Sequence, residues 1–293
     1  MRPHFVPIAL LATVALAGCA SAPPPPPAHL APPPPPAPAP SAPAIAKAPP
    51  PPPPASLLVV NVAAARPPLH DFLFCIPTWT PFRREARLHL AKGVDWLVEQ
   101  FTADATEDVS LVRYREPDLE MDDVMEAEGA PLDVPGVAHA WHPRHLEKDA
   151  VFFRSTPSVL GLTHRSRLDD PKLDALMADA NPAERPPIFL DLRDPAHLPQ
   201  GLPFAIREIK LTVVSLDNGR TRAEADVEID EGTPAADAVR ILREQLPKGR
   251  EVHAPPFLLE RLEIRADEGH VHASLEGDDK ELAELVRWLR ARP

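Results

Sequence analysis

Glycine is scarce in this sequence, with 11 residues in 293, so little backbone is free to wrap tightly around a phosphate or a dinucleotide. The fingerprints that need such glycines, the phosphate-binding loop and the dinucleotide-binding turn, are missing. So are Gly-x-Ser-x-Gly, His-Glu-x-x-His and a serine placed three residues before a lysine. Cysteine is rarer still: Cys19 and Cys75 are the only two. No apolar run reaches the roughly 20 residues that a membrane-spanning helix needs. Clustered lysine and arginine are also wanting. Residues 1–55 hold Arg2 and Lys47 and no acid, so the remaining 238 carry 29 basic and 43 acidic side chains, a net charge of −14. A chain so acidic is poorly suited to neutralising phosphates, which argues against nucleic acid as a partner.

What is present begins with an address. Arg2 supplies one positive charge, an apolar stretch runs from Phe5 to Ala17, and Leu16-Ala17-Gly18-Cys19 follows. A short cationic start before a brief apolar core is the pattern of a secretory signal. The tetrapeptide behind it resembles the lipobox of bacterial lipoproteins: an aliphatic residue, two small ones, then the cysteine that receives diacylglycerol. That resemblance covers only residues 1–19. It implies cleavage after residue 18 and lipidation of Cys19. Further acylation would make anchoring permanent, at about 0.8 kcal/mol per buried methylene. Ala20 and Ser21 follow without an aspartate at the second mature position, which in enterobacteria-like sorting favours the outer over the inner membrane. With Cys19 lipidated, Cys75 has no partner for a disulfide. Among Phe72, Leu73, Phe74 and Ile76 it is expected to be a buried small hydrophobe.

Residues 19–55 form the second segment. After Cys19 they are almost wholly alanine and proline, with runs at 23–27, 32–36 and 49–54. Proline fixes φ, lacks an amide hydrogen and pushes the preceding residue to extended geometry, so polyproline II is favoured. At about 3.1 Å per residue this is a semi-rigid spacer on the order of 100 Å long.

The rest divides on pattern into an N-terminal α+β part, 56–200, and a C-terminal part, 201–293. Leu57–Val62, Val109–Arg115, Val137–Trp141, Ala150–Ser155 and Ile188–Leu192 have the β-branched and aliphatic content of strands. Val94–Phe101 is ambiguous between strand and helix. Thr80-Pro81 opens a helix ending near Gly93, and a short helix spans Lys172–Ala180 after Pro171. Seven acids and no base lie between Glu116 and Glu128, a solvated helix or loop; Asp123 stands where a calcium-binding EF-hand needs glycine.

In the C-terminal part, Pro203–Leu211 is similar to Pro256–Ile264. Each copy continues into a turn (Asp217-Asn218-Gly219 and Asp267-Glu268-Gly269), an alternating strand (221–229 and 270–276) and an amphipathic helix. One helix opens at Thr233-Pro234 and presents Ala235, Val239, Leu242 and Leu246; the other opens at Asp278 or Asp279 and presents Leu282, Leu285, Val286 and Leu289. The expected fold class is α+β: a mainly antiparallel sheet, helices packed on one face, and a C-terminal tandem ββα duplication.

One cluster could carry chemistry. His139, His142 and His145 fall within seven residues and could ligate zinc or copper, with Glu147 or Asp149 completing the set. Against this, Pro143 prevents a helix from gathering them and Arg144 puts a fixed charge among them. His270 and His272 share a strand face but make only two ligands. No residue stands out as catalytic and no cofactor is implied. The expectation is a non-enzymatic envelope module that binds a protein or cell-wall component, with a metal-dependent enzyme or metal-binding protein at the histidine cluster as the alternative.

Overall fold

The structure, a computed structural model, describes residues 55–66, 69, 94–102, 108–114, 129–134, 137, 139–143, 148–168, 176–178, 180–199, 202–245, 256–282 and 284. Twelve strands form one sheet: β1 Ser56–Asn61, β2 Val94–Phe101, β3 Val109–Tyr114, β4 Gly129–Pro131, β5 Ala140–Pro143, β6 Ala150–Thr156, β7 Val159–His164, β8 Ile188–Leu192, β9 Ile206–Ser215, β10 Thr221–Ile229, β11 Glu263–Asp267 and β12 His270–Gly277. Their order is β11-β12-β10-β9-β8-β1-β2-β3-β7-β6-β5-β4. Every ladder within it is antiparallel. The mainly antiparallel sheet expected from the sequence is therefore observed. β8 pairs with β9, so the sheet continues across position 200.

Alternation along the strands sorts side chains onto two faces. On β2, Leu97 and Phe101 join the larger buried cluster, while Trp96 and Val98 join a second one. The larger cluster runs the width of the sheet, from Trp141 and Phe152 through Leu58 and Leu190 to Ile209, Val227 and Val271. The second covers the opposite face only over the N-terminal strands. Its cover includes Leu168, Leu176 and Ala180, from the connection that leaves β7 and rejoins the sheet at β8 on the far side of β1.

Helices are few. Helix α1, Ala235–Gln245, buries Ala238, Val239 and Leu242 in the larger cluster, beside Ile264 of β11 and Val271 of β12. Helix α2, Pro256–Arg261, precedes β11. Residues 279–282 are helical, and Asp278 is their cap: its carboxylate accepts the amides of Lys280 and Glu281 at 2.9 and 3.0 Å, while its own amide donates to the Glu281 carboxylate at 2.9 Å. Those amides hold the Asp278 carboxyl below its ordinary value.

Several local expectations need adjustment. Val94–Phe101 is a strand, since both its faces meet buried partners. The strand expected at Val137–Trp141 begins at Ala140, because Val137 instead closes an isolated bridge to Val134. β4 and β7 went unforeseen. Of the two stretches read as a repeat, the first is already in β9 at Ile206, whereas the second is still helical through Arg261. The Thr80 helix, Cys75 and residues 116–128 lie outside the described residues, as do residues 1–54.

Candidate functional site

The three histidines singled out by spacing have separate surroundings. His139 is exposed and its ring stacks on Trp141 at 6.0 Å between centroids. His142 follows Trp141 in β5, so alternation turns it to the other face, where its Nδ1 lies 3.1 Å from the Ala150 carbonyl. His145, with Arg144 and Glu147, lies outside the described residues. Among the described residues no group of three His, Cys, Asp or Glu side chains is placed to hold a metal ion.

A different pair does converge. His270 Nδ1 lies 2.7 Å from one oxygen of Asp226 and His272 Nδ1 lies 3.2 Å from the other. The register explains it: Asp226 on β10 faces His272 on β12, with His270 two residues back on the same face. Asp267 of β11 stands 3.8 Å from His272 Nε2. These residues belong to a polar field on β9, β10, β12 and β11 that continues through Glu224, Ser274 and Arg265. Next to it, Arg193 reaches Asp191 at 2.7 Å and Glu208 at 2.7 Å, and Lys210 reaches Glu208 at 2.7 Å. Burial raises the Asp191 carboxyl against the pull of Arg193. Burial also pushes Glu208 upward, but Lys210 and Arg193 outweigh it and hold this carboxyl below its ordinary value. The field lines an open, charge-rich recess of about 1180 Å³, not an enclosed apolar pocket of the kind small ligands prefer.

The second concentration of polar chemistry is buried. Seven polar or charged residues are buried among those described, and five of them, Ser56, Glu99, Thr102, Thr163 and Asp194, gather at one end of the central strands. It is the end at which β1 begins, directly after the proline-rich segment. Ser56 Oγ accepts the amides of Arg193 and Asp194, each at 3.1 Å, which ties the first residue of the sheet to the chain leaving β8. Asp194 lies 3.7 Å from His197 Nδ1, and the His197 ring meets Phe101 edge-on at 4.9 Å. A serine, a histidine and an aspartate thus lie close together, yet the serine oxygen is turned to two backbone amides and not to the imidazole, so the order needed for an activated nucleophile is missing.

Within this group Glu99 is the outlier. Its Oε2 is buried and accepts no hydrogen bond. Burial, and after it the nearby charge of Asp108, pushes its carboxyl from an ordinary 4.5 to about 8. Nothing in the sequence marked it. One acid inside Trp96-Leu97-Val98-Glu99-Gln100-Phe101 fits an exposed strand position, and only the neighbouring strands reveal that both faces are covered. Among the described residues no helix is long and apolar enough to cross a membrane.

No protein-family model matches the chain, and no curated protein matches it. Solved structures do. One is crystal form III of TP0453, at TM-score 0.51 and 8% identity, covering 79% of this chain and 93% of that one. Crystal form I of TP0453 aligns at TM-score 0.46 and 11% identity, covering 80% and 93%. At 8% identity the likeness to form III is one of fold alone.

Proposed function

We propose that this chain is a cell-envelope lipoprotein, held to a membrane by acyl chains on Cys19 and carrying a binding module on a proline-rich spacer. The membrane address rests on Leu16-Ala17-Gly18-Cys19 behind an apolar core, and Ala20-Ser21 favour the outer membrane. The spacer, residues 20–55, sets the domain at a distance from the lipid surface and suits a partner in the cell-wall layer or another envelope protein.

The observation that carries a binding role is the uncovered face of β9, β10, β12 and β11. It bears Lys210, Glu224, Asp226, Arg265 and His272 with no layer over them among the described residues, whereas the same strands pack Ile209, Leu211, Val227 and Val271 on the other side. A broad surface of paired charges fits a macromolecular partner better than a small substrate. The tandem duplication belongs to the same reading. The hairpins β9-β10 and β11-β12 meet through their second strands in the order β9-β10-β12-β11, each turn holds a glycine at positive φ (Gly219 at 78°, Gly269 at 92°), and each hairpin runs on into a helix.

Two experiments test the two halves of this reading. Labelled palmitate fed to cells should enter the chain, and Cys19→Ser should abolish the label and move the protein from the membrane to the soluble fraction. A label that survives Cys19→Ser would remove the anchor. A photo-crosslinking residue at Thr212 or Glu224 should trap one discrete partner that the same residue at exposed Asp217, in the β9-β10 turn, does not. Equal yields at both places would remove the docking face.

A further inference from the structure

Glu99 is placed where a carboxylate is costly. It lies on β2 between Leu97 and Phe101, facing the larger cluster, directly across from Leu58 on β1 and Ser110 on β3. Only 8% of the residue is exposed, and Oε2 has no hydrogen-bond partner. A charge so placed costs several kcal/mol, and taking up a proton is the cheapest relief.

Among the described residues the groups that could relieve it otherwise are few. Leu58 and Ser110, on the flanking strands, carry no charge. From the connection joining β2 to β3 comes Asp108, whose charge opposes ionisation. Beyond Phe101 stand Asp194 and His197, already 3.7 Å from each other. Asp108 is also the fastening of this end of the sheet: its carboxylate accepts the Thr102 amide at 3.0 Å, and its carbonyl accepts the Thr163 hydroxyl at 3.0 Å. A second negative charge beside Asp108 therefore acts on the residue that ties β2, β3 and β7 together.

We infer that the protonated Glu99 carboxyl is a latch: loss of its proton to water loosens the joined ends of β2, β3 and β7 and uncovers the apolar face at the end where β1 begins. With the carboxyl at about 8 when the end is closed and near 4.5 once it is open to water, opening gains one proton release across the interval between them.

Amide hydrogen exchange of the full chain in mild detergent, followed from pH 5 to 9 and corrected for intrinsic exchange, tests this. The opening constant at Phe101, Thr102 and Ser110 should rise close to tenfold per pH unit and level off above about pH 8. The amides of Asn61 and Ala63, at the opposite end, should stay flat. In Glu99→Gln the rise should vanish. A flat wild-type profile, or an unchanged slope in Glu99→Gln, overturns the latch. Should that variant not fold, carbon NMR of the wild-type Glu99 carboxyl decides: a midpoint well above the ordinary carboxylate range upholds the proposal, and one near 4.5 overturns it.

Discussion

The two halves of this sheet, which meet where β8 pairs with β9, bury themselves differently. Five of six residues of β1 and all five of β8 are buried, because those strands carry apolar cover on both faces. In β9, next in the sheet, only three of ten are buried, at Ile209, Leu211 and Val213 in strict alternation. A continuous apolar run therefore marks the strands that are covered twice, and a period of two marks those covered once. The difference locates the molecule's accessible surface: the half covered twice has little face left to offer, while the half covered once presents a charged field.

The same charge placed on matched positions should separate the two halves most strongly. Val98 faces the second cluster and has no exposed surface; Thr212 points to the uncovered side of β9. Val98→Lys should cost about 4 kcal/mol or more, or abolish folding. Thr212→Lys, directly opposite Glu224, should stay within about 0.5 kcal/mol in urea unfolding. Comparable losses at both sites would mean that the C-terminal face is covered after all.

Two buried carboxylates sharpen it further. Asp191 is 6% exposed and held by Arg193; Glu99 is 8% exposed and its Oε2 has no partner. The folded-state value of Glu99 is raised, so its contribution to stability is fully present below about pH 4.5, declines as pH rises toward 8, and is flat above. Glu99→Leu should therefore stabilise the chain at pH 8.5, by about 5 kcal/mol at most, and lose that advantage near pH 5. Asp191→Leu should destabilise at both, since it removes one of the two carboxylates that hold Arg193 at 2.7 Å and leaves only Glu208. Urea midpoints at the two pH values check both signs, and a Glu99→Leu gain independent of pH would show that packing, not ionisation, is responsible.

How far the sequence revealed this follows from the same contrast. Alternating strands, their Gly219 and Gly269 turns and an acidic cap at Asp278 or Asp279 were legible because their determinants are local: a period of two, a glycine at positive φ, an acid before a helix. Val94–Phe101 was ambiguous because burial on both faces erases periodicity. β7 was missed because Gly161 interrupts it, and the reason for that glycine lies on another strand: a Cβ there would come within 2.2 Å of the Phe153 ring, directly opposite on β6. The ring fills the space that a side chain would occupy. Gly161→Ala should accordingly cost about 2 kcal/mol, as Phe153 is 2% exposed and has nowhere to turn. Phe153→Leu in the same chain should return part of that loss, and strict additivity of the two would separate the residues.

The smallest effect is expected at the histidines that spacing alone suggested. Three imidazoles in seven residues look like a metal site only if the chain folds back on itself. A strand through Ala140–Pro143 instead turns His142 away from the side on which His139 stacks against Trp141, and binds its Nδ1 to the Ala150 carbonyl. Replacing His139, His142 and His145 together by alanine should shift stability by about 1 kcal/mol or less, chiefly through that one hydrogen bond. It should leave the zinc content of the purified protein unchanged. Stoichiometric zinc that disappears in the triple variant would require His145 to approach one of the other two, and would give the twice-covered half a metal chemistry.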